Sequence, residues 1–130
     1  MIIHNFYAWI KLQLDMIVFV KHNFRKNSPS NCTLIKQSGG MSAKQFNRKE
    51  TLIQILVRNE SDNEAFKIIN TIYDLIRYQF MITLPQTVID SITYPAVIAA
   101  QITPNQLPGG IGQDNEGRYL YSLNITIISE

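Results

Sequence analysis

Two histidines, one cysteine, a glycine-rich run and two neighbouring carboxylates are the residues of this 130-residue chain that could do chemistry. His4 and His22 lie far apart, and neither has a carboxylate or cysteine at metal-ligand spacing. Both read as ordinary histidines, so no metal is expected. Cys32 falls in a β-branched, apolar stretch with no helix N-terminus beside it, which favours a buried thiol over a nucleophile. Gly109-Gly-Ile-Gly112 resembles a phosphate cradle but lacks the lysine and the following helix that a phosphate-binding loop needs. Asp114 and Glu116 share one loop, and nothing nearby would drive their pKa values apart into an acid and a base. The expectation is a protein with no catalytic residues, no cofactor and no enzymatic activity.

Basic residues offer another chemistry. Arg25-Lys26 and the run from Lys44 to Lys49 lie beside Phe24 and Phe46, which could stack on bases. The net charge is only +2 and no recognition motif is present, so a small nucleic-acid-binding module stands as an alternative. Charge is unevenly distributed. Through Glu50 the basic residues dominate, from Lys11 to Lys49 against Asp15 and Glu50. Beyond it the acidic residues dominate, from Glu60 to Glu130 against Arg58, Lys67, Arg77 and Arg118. That asymmetry suits subunits meeting head to tail in a ring, and it equally suits charged loops that keep a protein in solution.

Hydrophobic residues make up 45% and charged residues 17%, enough for a packed core and close to one domain in length, here 1–130. A single cysteine excludes an intrachain disulfide. The apolar start is broken by Lys11, Gln13 and Asp15, so neither a signal peptide nor a membrane span is expected.

The elements follow from periodicity. Asn5 is placed to cap a first helix running to about Asp15, with Phe6, Trp9, Ile10, Leu12 and Leu14 on its apolar side. Met16 to Val20 reads as a buried strand, Lys21 to Ser30 as a loop, and Cys32 to Lys36 as a strand closed by Ser38-Gly39-Gly40. Thr51 to Arg58 reads as a central strand with Ile53, Ile55 and Val57 on one face. Ser61 to Glu64 has capping-box spacing, and Ala65, Ile68, Ile69, Ile72, Leu75 and Ile76 then recur as a helix face. Phe80 to Ser91 reads as an irregular connection holding a short strand near Met81 to Leu84. Strands follow at Ala96 to Thr103 and from Tyr119 onward. The roughly fourteen residues from Pro104 to Gly117 exceed what a hairpin needs and read as a free arm. The expected fold class is α+β. Four to five mostly antiparallel strands pack against two helices, in the order α-β-β-β-α-β-β.

Several short patterns resemble the bacteriophage tail terminator and minor capsid proteins that complete the tail and join it to the head. An amphipathic segment and a proline-containing loop lead to Thr33-Leu-Ile-Lys-Gln-Ser-Gly-Gly40. A strand closes on Val57-Arg58, and a helix opens with Glu64-Ala65 and holds Ile72-Tyr-Asp-Leu75. Near the end comes Asp114-Asn-Glu-Gly-Arg-Tyr-Leu-Tyr-Ser-Leu-Asn124. Phe80 to Pro95 has no counterpart in the pattern. The resemblance implies a structural virion protein, assembled in the host cytoplasm, that forms a hexameric ring. The ring would cap the tail tube and join it to the head connector or neck protein. A neck or head-completion adaptor is the alternative role. No cofactor is implied, no membrane is involved, and DNA in the ring lumen could be touched without specificity. The Pro104 to Gly117 arm and the Ser38 to Lys49 loop are the expected contacts. Arg58, Asp114 and Arg118 are candidates for intersubunit or loop-fixing salt bridges.

Overall fold

In a computed structural model, residues 2–42 and 48–129 are described. Helix α1 (Ile2–Gln13) is followed by strands β1 (Phe19–Lys21), β2 (Cys32–Ser42) and β3 (Lys49–Asn59), then helix α2 (Asp62–Ile76). Six further strands complete the chain: β4 (Phe80–Leu84), β5 (Thr87–Ile89), β6 (Ile92–Tyr94), β7 (Val97–Pro104), β8 (Gly109–Gln113) and β9 (Tyr119–Ser129).

The main sheet has seven strands in the order β1-β2-β3-β9-β7-β4, with β8 also pairing β9. It curls into a half-barrel. Every pairing is antiparallel except β1 with β2. β5 and β6 form a separate hairpin, turning through Asp90 and Ser91 at φ 51° and 66°, the positive-φ pair of a tight hairpin turn.

β3 and β9 pair along their whole length, from Lys49 opposite Ser129 to Asn59 opposite Tyr119. Their alternation places Ile53, Ile55, Val57, Leu123, Ile125 and Ile127 on one face, all fully buried. α2 supplies Ala65, Ile69, Ile72 and Ile76, and α1 supplies Ile3, Phe6, Trp9 and Ile10, to the same core. Burial of the three α2 isoleucines contributes about 5–9 kcal/mol before entropy is subtracted. Ser61 caps α2 as expected, its hydroxyl accepting from the Glu64 amide at 3.3 Å. The Ser61 amide donates instead to the Asn59 side chain at 2.9 Å, so the reciprocal half of the box belongs to Asn59.

The α+β expectation is corrected on several counts. Among the described residues strands make up 48%, the sheet has seven strands rather than four or five, and six strands rather than two follow α2. The strands that escaped the sequence reading lack the alternation that betrays a half-buried strand. β8 is exposed at all five positions and β5 and β6 are three residues each, whereas β4 coincides with the short strand expected near Met81 to Leu84. Met16 to Val20 is not a buried strand: Met16 and Val18 are exposed and pairing begins only at Phe19. α1 ends before Asp15, and Asn5 lies inside it rather than at its cap.

Asn5 has a different task. Its buried amide donates to the carbonyls of Pro85, Tyr94 and Pro95 at 2.9, 3.3 and 2.9 Å. One side chain thus pins the β5–β6 hairpin to α1. Gly40 is required where β2 crosses β3, since a Cβ there would come within 2.5 Å of the Glu50 carbonyl oxygen.

Candidate functional site

The Pro104 to Gly117 segment is not a free arm. β8 runs back along the first half of β9, Gln113 opposite Tyr119, while β7 pairs with its second half. Asn105 bridges the two, its amide donating to the Asn124 carbonyl at 2.8 Å and its side chain accepting from the Thr126 hydroxyl at 2.9 Å. β7, β8 and β9 therefore build one long hairpin with its tip at Asp114 to Arg118. Of the glycines that looked like a phosphate cradle, Gly110 is the one that lets β8 lie close against β9. A Cβ on Gly110 would press within 3.3 Å of the Tyr121 ring.

The tip is held by Asp114. Its carboxylate accepts from the amides of Glu116 and Arg118 at 2.9 and 3.0 Å and from the Arg118 guanidinium at 2.8 Å. Gly117, at φ +78°, closes the turn. Desolvation by the tip raises the Asp114 pKa, but hydrogen bonds from the Arg118 backbone and side chain and from the Glu116 amide outweigh it. The carboxyl stays below its usual range. Glu116 lies 3.3 Å from the same guanidinium.

Arg58 stands across the sheet from this tip on the face away from the core. It is buried without a carboxylate partner among the described residues. Its guanidinium donates to the carbonyls of Pro29 at 2.6 Å and Ser30 at 3.2 Å, reaches Cys32 Sγ at 3.6 Å, and stacks 4.1 Å from the Phe24 ring centroid. Arg118 also reaches the Ser30 hydroxyl at 3.4 Å. Of the three sequence candidates, Arg58 and Arg118 thus meet at the Pro29-Ser30 loop, and Asp114 is joined to them only through its ion pair with Arg118. Burial pushes the Cys32 thiol up, with partial relief from Arg58, which keeps it protonated and unreactive.

On the other side, His4 packs against Tyr94 and accepts at Nδ1 from the Lys21 ammonium at 2.9 Å. Burial, and then the Lys21 charge, lower its pKa. Lys11 and Lys21 both lie about 5 Å from the Tyr7 ring centroid, at 5.1 and 5.0 Å, and the Tyr7 hydroxyl donates to the Phe19 carbonyl at 2.8 Å, covering the β1 edge. Among the described residues no group of three His, Cys, Asp or Glu side chains could hold a metal ion. No described helix is long and apolar enough to cross a membrane.

A family model described as bacteriophage tail terminator protein matches residues 14–130, the whole sheet and α2. The chain belongs to that family. No curated protein matches it. As a tail terminator it is a structural component of the phage virion and interacts with other tail and head parts. The matched span begins after α1, although α1 supplies four residues to the core.

The terminator's expected contact regions are redistributed by its fold. Of the Ser38 to Lys49 loop, Ser38 to Ser42 belong to β2 and Lys49 to β3. Residues 43–47, with Lys44 and Phe46, lie outside the described residues. Phe24 is engaged by Arg58 rather than free to stack on bases. The sequence reading missed two apolar surfaces. One is a groove of about 530 Å³ between the α1–β1 connection and α2, lined in part by Leu14, Met16, Ile17, Val18 and Ile68. The other lies at the β4 end of the sheet, where Phe80, Met81 and Ile98 are exposed. The signal available for the second was compositional. From Tyr78 to Pro104 the only charged residue is Asp90, which is sparse for a segment that ends a sheet.

Proposed function

We propose that this terminator forms a hexameric ring that caps the tail tube and joins it to the head connector or neck protein, without catalysis. The observation that carries this reading is the family match across the entire sheet. The buried polar groups support the non-catalytic part. Asn5 and Arg58 donate to internal carbonyls and Asn59 accepts from the Ser61 amide, so these side chains are used to hold the fold. Assembly takes place in the host cytoplasm in this reading, and DNA crossing the lumen meets the ring without sequence preference. Negative-stain imaging of tail tubes incubated with the purified protein tests it. Ring-shaped density at one tube end, together with a sixfold mass by native mass spectrometry, is the expected result. Bare tubes and a monomeric mass would overturn the reading. Density only on isolated head connectors would favour the neck-adaptor role.

A further inference from the structure

α1 carries His4, Tyr7 and Lys11 at the spacing that lines up one stripe of a helix. That stripe lines a recess of about 480 Å³, with Lys21 of β1 beside it. Gln86 and Thr87 line the same recess, next to the Pro85 carbonyl that Asn5 fastens to α1. We propose that this recess is an oxyanion site that takes a phosphate group between the Lys11 and Lys21 ammoniums.

The two ammoniums lie 5.1 and 5.0 Å from the same Tyr7 ring centroid, so two positive charges share one small space. A ring face attracts a cation but carries no opposite net charge. Neither lysine has a carboxylate within ion-pair distance among the described residues. Burial and then the Lys11 charge lower the Lys21 pKa, and Asp90 offsets this only in part. An anion bound between the two would relieve that repulsion. Lys21 spends one donor on His4 Nδ1 at 2.9 Å, and an ammonium has three.

The donor chemistry favours phosphate over carboxylate. Among the described residues no arginine lines the recess, so the planar fork that matches a carboxylate is missing, whereas lysine binds phosphate as a point charge. The Gln86 amide and the Thr87 hydroxyl add neutral donors. His4, Tyr7 and Lys11 all precede the residues that the family model matches. The site therefore belongs to this chain's own N-terminal helix and stands independently of the ring reading. Free phosphate and the backbone of duplex DNA present the same group, and the test separates them.

Titration calorimetry with inorganic phosphate and fluorescence anisotropy with a short labelled DNA duplex are run on the full chain, each against chloride of equal ionic strength. The double variant Lys11→Gln, Lys21→Gln is compared with Arg25→Gln, Lys26→Gln, which removes the same charge from exposed loop positions. The expected result is saturable binding that the recess pair weakens about tenfold or more, as loss of a charge-assisted hydrogen bond implies. The loop pair should change it little. Duplex binding without phosphate binding identifies DNA as the source, phosphate binding without duplex binding the free ion, and binding of both a site open to either. Lys11 is exposed, so Lys11→Gln alone keeps the test decisive where the Lys21 variant disturbs His4. Failure of both probes to bind, or equal losses in the two double variants, would overturn the inference and leave the ring reading standing.

Discussion

The β3–β9 centre and the Phe80–Tyr94 segment are both built of strands, yet they are held in opposite ways. At the centre each strand carries its own reason for being there. The alternation of Ile53, Ile55 and Val57 against Leu123, Ile125 and Ile127 buries one face completely, and eleven residue pairs run without a break in register. In the Phe80–Tyr94 segment the strands are short and mostly exposed. β4 is held by pairing with β7, but the placement of β5 and β6 depends on a distant helix, through the Asn5 amide and its three carbonyl acceptors. The contrast shows that a strand may be specified by its own pattern or by a partner that uses up its backbone groups. The second kind leaves Phe80, Met81, Val88 and Ile92 exposed.

The largest effect should come from the centre. Ile55→Ala removes a fully buried side chain between two paired strands, and a loss of about 2–5 kcal/mol in urea unfolding is expected. A loss below about 1 kcal/mol, the range of a mild core trimming, would mean that β3 does not anchor the core. Asn5→Ala should cost less, about 1–3 kcal/mol, because it strands buried carbonyls without creating a large cavity. Its distinguishing mark is local. Amide exchange in residues 85–95 should accelerate while β3 and β9 stay protected, and uniform acceleration through the sheet would erase the contrast between the two regions.

The smallest effect is set by pH. His4 accepts from Lys21 as a neutral ring, and burial lowers its pKa from 6.5. The unfolded chain therefore takes up the proton first, so the His4 contribution is present above about pH 6.5 and fades as the pH falls below it. Thermal melts of the wild type should lose stability through that window, and His4→Gln should flatten that part of the curve. An identical pH dependence in both proteins would place the titration elsewhere.

Much of the architecture was legible from local pattern. α2 with its Ser61 cap, the faces of β3 and β9 and the buried Cys32 all rest on side-chain pattern within a few residues, while the family showed through a resemblance of short motifs. β5, β6 and β8 carry no such signal, since short, exposed and glycine-rich strands alternate nothing. Arg58, Asp114 and Arg118 could be named from the sequence as pairing groups. That the two arginines meet at the Pro29-Ser30 loop could not, because Ser30 and Arg118 are brought together only by the pairing of β2, β3 and β9.

By itself the sequence determined the core and its capped helix, because burial and capping act between residues close in the chain or repeating at fixed spacing. Only the tertiary structure decided that the long arm is a hairpin, that Asn5 fastens a distant segment, and that two apolar surfaces remain open at the two ends of the sheet. Backbone hydrogen bonds between strands carry no residue-specific signature. Which edges are satisfied and which are left open is settled only when the whole sheet has been assembled.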